Sequence, residues 1–307
     1  PSTSSATATS SASWSDMRSL VSLVVVGLAL AASAVEEHVD RVVDEILSNV
    51  AKLKADDPTV LPMAFWDFDG TIIRGDISVG LQEDGVERHQ GMIHAGIMAG
   101  FSPFYKGEEG CRQFDRDYAR LEEIGRFIAW PFIGQAFAGV KVADFNRFCA
   151  QRVRDVYSKW YFASSVAILR RLEAAGVENH IISGSPDIYV KNAAESIGLT
   201  SDRMHGIQLA IDGGILSTRI EYPVTTGEGK VEVLRRLVNA RKNAVAVAGF
   251  GDSYKTDGAF LRYIVRQTLP GGAKGFALMI NGSGSASGYE GLFTCVRQSE
   301  TVVMCGN

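Results

Sequence analysis

The stretch Met63-Ala64-Phe65-Trp66-Asp67-Phe68-Asp69-Gly70-Thr71 decides the fold of this chain. Four consecutive apolar residues read as a strand covered on both faces, because such a strand has no solvated side to alternate toward. The run sets two carboxylates, Asp67 and Asp69, two residues apart at the strand's carboxyl end. Gly70 and Thr71 follow as turn and helix-cap types. Paired carboxylates at such a point read as a phosphoryl-transfer site.

Working outward, the sequence supplies what two carboxylates need in order to handle a phosphate ester. Ile181-Ile182-Ser183-Gly184-Ser185-Pro186 is a second apolar run, ending in a hydroxyl and a glycine. Gly229-Lys230 opens an amphipathic helix with Val233, Leu234, Leu237 and Val238 on one face. Ala244 to Phe250 is a third buried run, and it leads into Gly251-Asp252-Ser253-Tyr254-Lys255-Thr256-Asp257. Between these lie a helix from Ser164 to Ala175 stopped by Gly176, a strand from Val177 to Ile182, and a helix from Ile188 to Ile197 stopped by Gly198. His205 to Ile211 and Ile215 to Ile220 flank Asp212-Gly213-Gly214, a hairpin signal. Phe276 to Ile280 reads as the last core strand, with a loop from Asn281 to Gly291 beyond it. Strands alternating with helices predict an α/β fold with a parallel sheet and helices on both faces. In such a sheet the ligand crevice lies at the carboxyl ends of the strands, where all these motifs fall.

The four motifs in this order resemble the haloacid dehalogenase superfamily, and within it the phosphoserine phosphatase-like branch, over residues 60 to 285. The resemblance implies a Rossmann-like core with a helical cap inserted after the first core strand. It also implies a phosphomonoester hydrolase working through an aspartyl-phosphate, with a small-molecule phosphate ester as substrate. Asp67 would be the nucleophile and Asp69 the general acid and base, a role worth about 10²- to 10⁴-fold. Asp69 is expected to have a raised pKa through its proximity to Asp67 and Asp252. Thr71 and Ser183 would hydrogen-bond the phosphoryl oxygens, Lys230 would neutralise them, and Gly70 and Gly184 would let the backbone approach. Mg2+ is the implied cofactor, held by Asp67, the backbone carbonyl of Asp69 and Asp252, with Asp257 orienting water or Lys230 behind them.

A dehalogenase lacks the acid at Asp69 and a phosphonatase replaces it, so both are set aside. A phosphomutase and a non-catalytic binding protein on the same fold stay open. Asp76 stands where phosphoserine phosphatases carry a glutamate that meets the substrate amine. Four residues separate Asp252 from Asp257, as in exported phosphocholine phosphatases, so a phosphoserine- or phosphocholine-like substrate is expected.

Composition narrows the setting. The 307 residues are 46% hydrophobic with a net charge of -4, and Lys and Arg are scattered, so nucleic acid is not an expected partner. Residues 1–34 read as a disordered Ser/Thr/Ala-rich leader and a signal peptide, Met17-Arg18 preceding the apolar Leu20 to Ala32 and cleavage following Ala34, with an uncleaved anchor as the competing reading. Export, without stable membrane insertion after cleavage, is therefore expected. Residues 35–77 hold an amphipathic helix, Val35 to Leu53, expected to pack outside the core, and the first strand. Residues 78–162 show helical patterns, such as Phe114 to Ala129 and Val142 to Trp160, but no alternating strand pattern, and form the expected cap. Residues 163–307 complete the core. Aromatic clusters in the cap, Phe101 with Phe104 and Tyr105, Trp130 with Phe132, and Trp160 with Tyr161 and Phe162, are candidates for cap core or pocket wall. His89 and His94 read as polar surface. Cys295 with Cys305 is the closer pair and could close the carboxyl-terminal segment, Cys111 and Cys149 fall on cap helices, four buried free thiols are the alternative, and Asn281-Gly282-Ser283 is a glycosylation sequon.

Overall fold

A computed structural model describes residues 14–298 and 302–304, with side chains over 33–298. Residues 1–13 of the expected leader, and Cys305 of the expected cysteine pair, lie outside the described residues. Helix α1 (Trp14–Asp56) takes in the backbone of the Met17–Ala34 segment. Among the described residues no helix is long and apolar enough to cross a membrane.

The chain continues through β1 (Leu61–Trp66), the hairpin β2 (Gly80–Glu83) and β3 (Val86–Gln90), and helices α2 (Met92–Met98), α3 (Gly107–Ile124), α4 (Arg126–Gln135) and α5 (Val142–Asp155). Helix α6 (Ala163–Ala174) leads to β4 (Glu178–Pro186), the short α7 (Asp187–Lys191) and α8 (Ala194–Ile197), then β5 (Met204–Asp212) and β6 (Ile215–Glu221). The remainder is α9 (Glu228–Asn239), β7 (Ala244–Ser253), α10 (Gly258–Val265), β8 (Phe276–Ser283), β9 (Thr294–Gln298) and β10 (Val302–Met304). Eight strands form one sheet in the order β10-β9-β8-β7-β1-β4-β5-β6. It is parallel except at its two edges, where β10 and β6 run antiparallel to their neighbours.

β1 occupies the middle of this α/β sheet, and its side chains divide between two layers. Ala64 and Trp66 enter the core cluster that includes α1 and α6, whereas Met63 and Phe65 enter the one built with α9 and α10. This is the period-2 alternation of a strand with both faces covered. It explains why the sequence shows an unbroken apolar run there.

Three expectations change. The amphipathic helix does not lie outside the core: Val39, Val42, Val43, Ile46, Val50 and Leu53 of α1 are buried in the larger cluster. A stripe at helical spacing that long presents a continuous apolar face, and burial against the sheet removes it from water. Ile46, fully buried, provides the check. Ile46→Val is expected to cost about 0.5–1.5 kcal/mol in denaturant unfolding. No measurable change would return α1 to the surface.

The second change is the β2–β3 hairpin, which interrupts a segment expected to be helical. Its strands are mostly polar and bury little, so hydrophobic alternation had nothing to report. At its turn Asp84 and Gly85 both take positive φ, at 53° and 75°, as a two-residue hairpin turn demands. His89 of this hairpin is buried rather than surface. Its Nε2 meets the Arg74 carbonyl at 3.1 Å, and its ring packs edge-on against Tyr157. His94 does lie partly exposed, 2.8 Å from Asp115.

The third change is at the carboxyl end, where β9 pairs in parallel with β8, so Phe276–Ile280 is not the last core strand. The Asn281 side chain joins the two. Its Nδ2 donates to the Gln298 carbonyl at 2.8 Å and its Oδ1 accepts the Gln298 N–H at 2.6 Å, so the nitrogen a glycan would need is already engaged. Cys111 and Cys149 are buried thiols.

Candidate active site

Parallel pairing brings the motifs together. β1 and β7 are adjacent, and their ladder runs on past β1 because the Asp67 N–H donates to the Phe250 carbonyl at 2.8 Å. Trp66 stacks on Phe250 at 3.5 Å between ring centroids, and its Nε1 donates to Asn179 of β4. Those contacts set the exit direction of the Asp67–Asp69 loop. A Cβ at Gly70, which has φ 70°, would overlap the Asp252 carboxylate, so only glycine lets the two loops approach this closely.

Lys230, in the first turn of α9, is 1% exposed. Its Nζ lies 2.7 Å from Asp67 Oδ1 and donates to Asp257 Oδ1 at 2.6 Å. Burial alone would lower the ammonium's pKa, but Asp257 and Asp67 outweigh it and raise it, so Lys230 is a fixed cation. The other oxygen of Asp257 accepts the N–H groups of Asp252 (3.1 Å) and Ser253 (3.0 Å). Both Asp257 oxygens are thus occupied in holding the Asp252 loop and Lys230.

The carboxylates of Asp67, Asp252 and Asp257 offer oxygens all within 4.8 Å of one another. Burial first, and then Asp257, push Asp67 up to about 8 despite Lys230. Burial and then Asp67 push Asp252 up to about 9. One lysine does not balance two buried acids and the half-buried Asp252, so the donor set fits a hard divalent ion with oxygen ligands. Because Asp257 is saturated by its own partners, Asp67 and Asp252 are the side chains with oxygens to offer.

Asp69 points elsewhere. Its Oδ1 accepts the Ile77 N–H at 2.7 Å, and its Oδ2 accepts the hydroxyls of Ser185 (2.7 Å) and Ser183 (3.1 Å). Its pKa is pushed up to about 7, as an acid near neutrality requires, but the cause differs from expectation. Burial comes first and Asp76 second, in place of Asp67 and Asp252. Ser183 donates to Asp69 instead of standing free for a phosphoryl oxygen. Thr71 is completely buried, its hydroxyl has no partner, and it does not line the cavity described below. Asp76 Oδ1 accepts the N–H groups of Ser78 (2.6 Å) and Val79 (3.0 Å), closing the turn before β2.

The profile of the haloacid dehalogenase-like hydrolases matches residues 64–262, from β1 through α10. The chain belongs to that family. Solved structures similar to this hydrolase include a protein of unknown function from Bordetella pertussis Tohama I, 18% identical with a TM-score of 0.55, covering 73% of this chain and 92% of that one. A conserved protein of unknown function from Anaerococcus prevotii DSM 20548 aligns at 13% identity and TM-score 0.52, covering 78% and 85%. A phospho-aspartyl intermediate analogue of phosphoserine phosphatase aligns at 14% identity and TM-score 0.44, over 73% and 88%. No curated protein matches the sequence.

In this haloacid dehalogenase-like hydrolase Asp67, Asp69, Gly70, Asp76, Gly184, Lys230 and Asp252 all line one cavity of about 780 Å3. Of the aromatics in the segment expected to form the cap, Trp130 and Phe162 reach it, and Trp130 lies so close over Gly184 that a Cβ there would overlap the indole. Phe101 meets Phe145 and Phe132 stacks on Phe114, so these two serve packing, whereas Phe104 is exposed. Sequence reading missed Arg74, Glu83, Tyr118, Glu122 and Ser185 in the wall. Only Ser185 carried a signal, as a second hydroxyl two residues after Ser183.

Proposed function

We propose that this chain hydrolyses a small phosphomonoester by way of an aspartyl-phosphate, with residues 78–162 as the cap over the site. The observation that carries the reading is buried Lys230 locked between Asp67 and Asp257, with Asp252 alongside. A lysine held there supplies fixed positive charge where phosphoryl oxygens would arrive, which costs no reorganisation during reaction. Asp67 attacks phosphorus as the ester P–O bond breaks, and the Asp69 carboxyl proton passes to the departing oxygen. Asp69, now a carboxylate, then takes a proton from the water that opens the acyl phosphate. Magnesium, when bound by Asp67, Asp252 and the Asp69 carbonyl, would screen these carboxylates from a phosphate dianion.

The cavity wall supports a cationic leaving group. Six carboxyl groups, Asp67, Asp69, Asp76, Glu83, Glu122 and Asp252, face two cations, Arg74 and Lys230. Even with a divalent ion the wall stays formally acidic, so the favoured phosphate ester carries compensating positive charge. Tyr118, Trp130 and Phe162 present ring surface to such a charge. A phosphocholine- or phosphoserine-like ester meets this description. The Met17–Ala34 segment supports export, which amino-terminal sequencing of secreted protein checks by finding cleavage after Ala34.

The test is a phosphate-release panel with magnesium present and then chelated. Net release is expected with magnesium, fastest for the amine-bearing esters, and is expected to disappear on chelation. Magnesium is also expected to raise the melting temperature. Conversion of a sugar phosphate without net release would make the chain a phosphomutase, and absence of any turnover would sink the catalytic reading.

A further inference from the structure

Asp69 is held by a hydrogen-bonded chain that starts outside the core strands. The Ser185 hydroxyl has one proton, and that proton goes to Asp69 Oδ2 at 2.7 Å. Its 2.7 Å contact with Ser78 Oγ therefore has Ser78 donating and Ser185 accepting. Both serines are buried, at 1% and 3% exposure. Ser78 is fixed in turn from the other side, because its N–H donates to Asp76 Oδ1 at 2.6 Å and its carbonyl accepts the Ile93 N–H of α2 at 3.1 Å. The neighbouring Ile77 N–H holds the second oxygen of Asp69. Thus α2, Ser78, Ser185 and Asp69 form one connected series between the segment after β1 and the end of β4.

We infer that Ser185 and Ser78 are positioning residues for Asp69, so that the placement of α2 sets the aim of the acid. The inference rests on the phosphatase reading and deepens it. Hydroxyls in a donor chain polarise one another, and a carboxyl that must deliver a proton along one line loses rate steeply when misplaced. Truncating Ser185 leaves Asp69 with Ser183 and Ile77 alone, and Oδ2 loses its shorter partner.

Leaving groups separate positioning from general damage. An alkyl phosphate departs as a strongly basic alkoxide and needs the Asp69 proton, whereas the weakly basic phenolate of p-nitrophenyl phosphate needs it little. Ser185→Ala is expected to lower kcat/KM for an alkyl phosphate by ~30-fold, a part of the ~10²- to 10⁴-fold that a general acid contributes, and for the aryl ester by only ~3-fold. Ser185→Cys, similar in size but a poor donor, is expected to follow Ser185→Ala, and Ser78→Ala to show the same bias at ~5-fold. Equal falls for both esters, or full recovery in Ser185→Cys, would overturn the inference. Crystals of Ser185→Ala give a readout independent of turnover. There Asp69 is expected to leave its position or split into two, and a single unchanged carboxylate would overturn the proposal. Wild-type protein inactive on both esters would instead count against the phosphatase reading, and the Asp69 position would still decide this one.

Discussion

Asp67→Asn is expected to lower phosphate release by about 10³-fold or more, the scale on which loss of a covalent nucleophile acts. A carboxamide cannot attack phosphorus at a useful rate, and no neighbour is placed to substitute. Asp252 lies against Gly70, Asp257 has both oxygens engaged, and Asp69 is turned toward Ser183, Ser185 and Ile77. The fold should hold, because the substitution removes repulsion from Asp257 and Asp69 together with attraction to Lys230, and these oppose one another. Lys230 keeps Asp257 as partner. Steady-state phosphate release beside a melting curve is the measurement. A variant that folds and retains a tenth of the activity would remove Asp67 from the nucleophile's position.

How much of this was legible depends on which kind of signal each part leaves in a sequence. β1 and β7 were readable as strands because both faces are covered, which forces apolar runs such as Phe65-Trp66 and Val245-Ala246-Val247. Asp67, Lys230, Asp252 and Asp257 were readable because order along the chain places them at strand ends or a helix start, and parallel pairing converts that order into proximity. The direction of a side chain after such a strand leaves no periodic trace. Hence nothing in the sequence signalled that the Ser183 hydroxyl donates to Asp69. The β2–β3 hairpin escaped because its strands bury little, so hydrophobic alternation had no cause to appear. The wall residues Tyr118 and Glu122 escaped for another reason. On α3 their side chains answer to the cavity and to Trp130, whose Nε1 donates to Glu122 at 3.2 Å, and neither leaves a motif.

Lys230→Met is expected to do more harm to the fold than any other single change at the site. The methionine fits the volume and restores apolar contact with Phe260, over whose ring the ammonium lies at 5.7 Å, so packing is not the issue. Charge is. Asp67 and Asp257 lose the cation between them while staying buried, and removing one partner from a buried ion pair typically costs about 3–5 kcal/mol. Against a total stability on the order of 5–15 kcal/mol, that brings the domain near its threshold. Phosphate release should be lost as well, since the fixed positive charge at the proposed phosphoryl site is gone. The double variant Lys230→Met with Asp257→Asn separates the electrostatic account from a steric one. Asparagine keeps an oxygen for the Asp252 and Ser253 N–H groups but removes one unpaired charge, so the double variant should unfold at higher denaturant than Lys230→Met alone. A double variant less stable than the single one would mean that Asp257 matters for its hydrogen bonds and not for its charge. Lys230 would then be a packing residue with an ammonium at its tip.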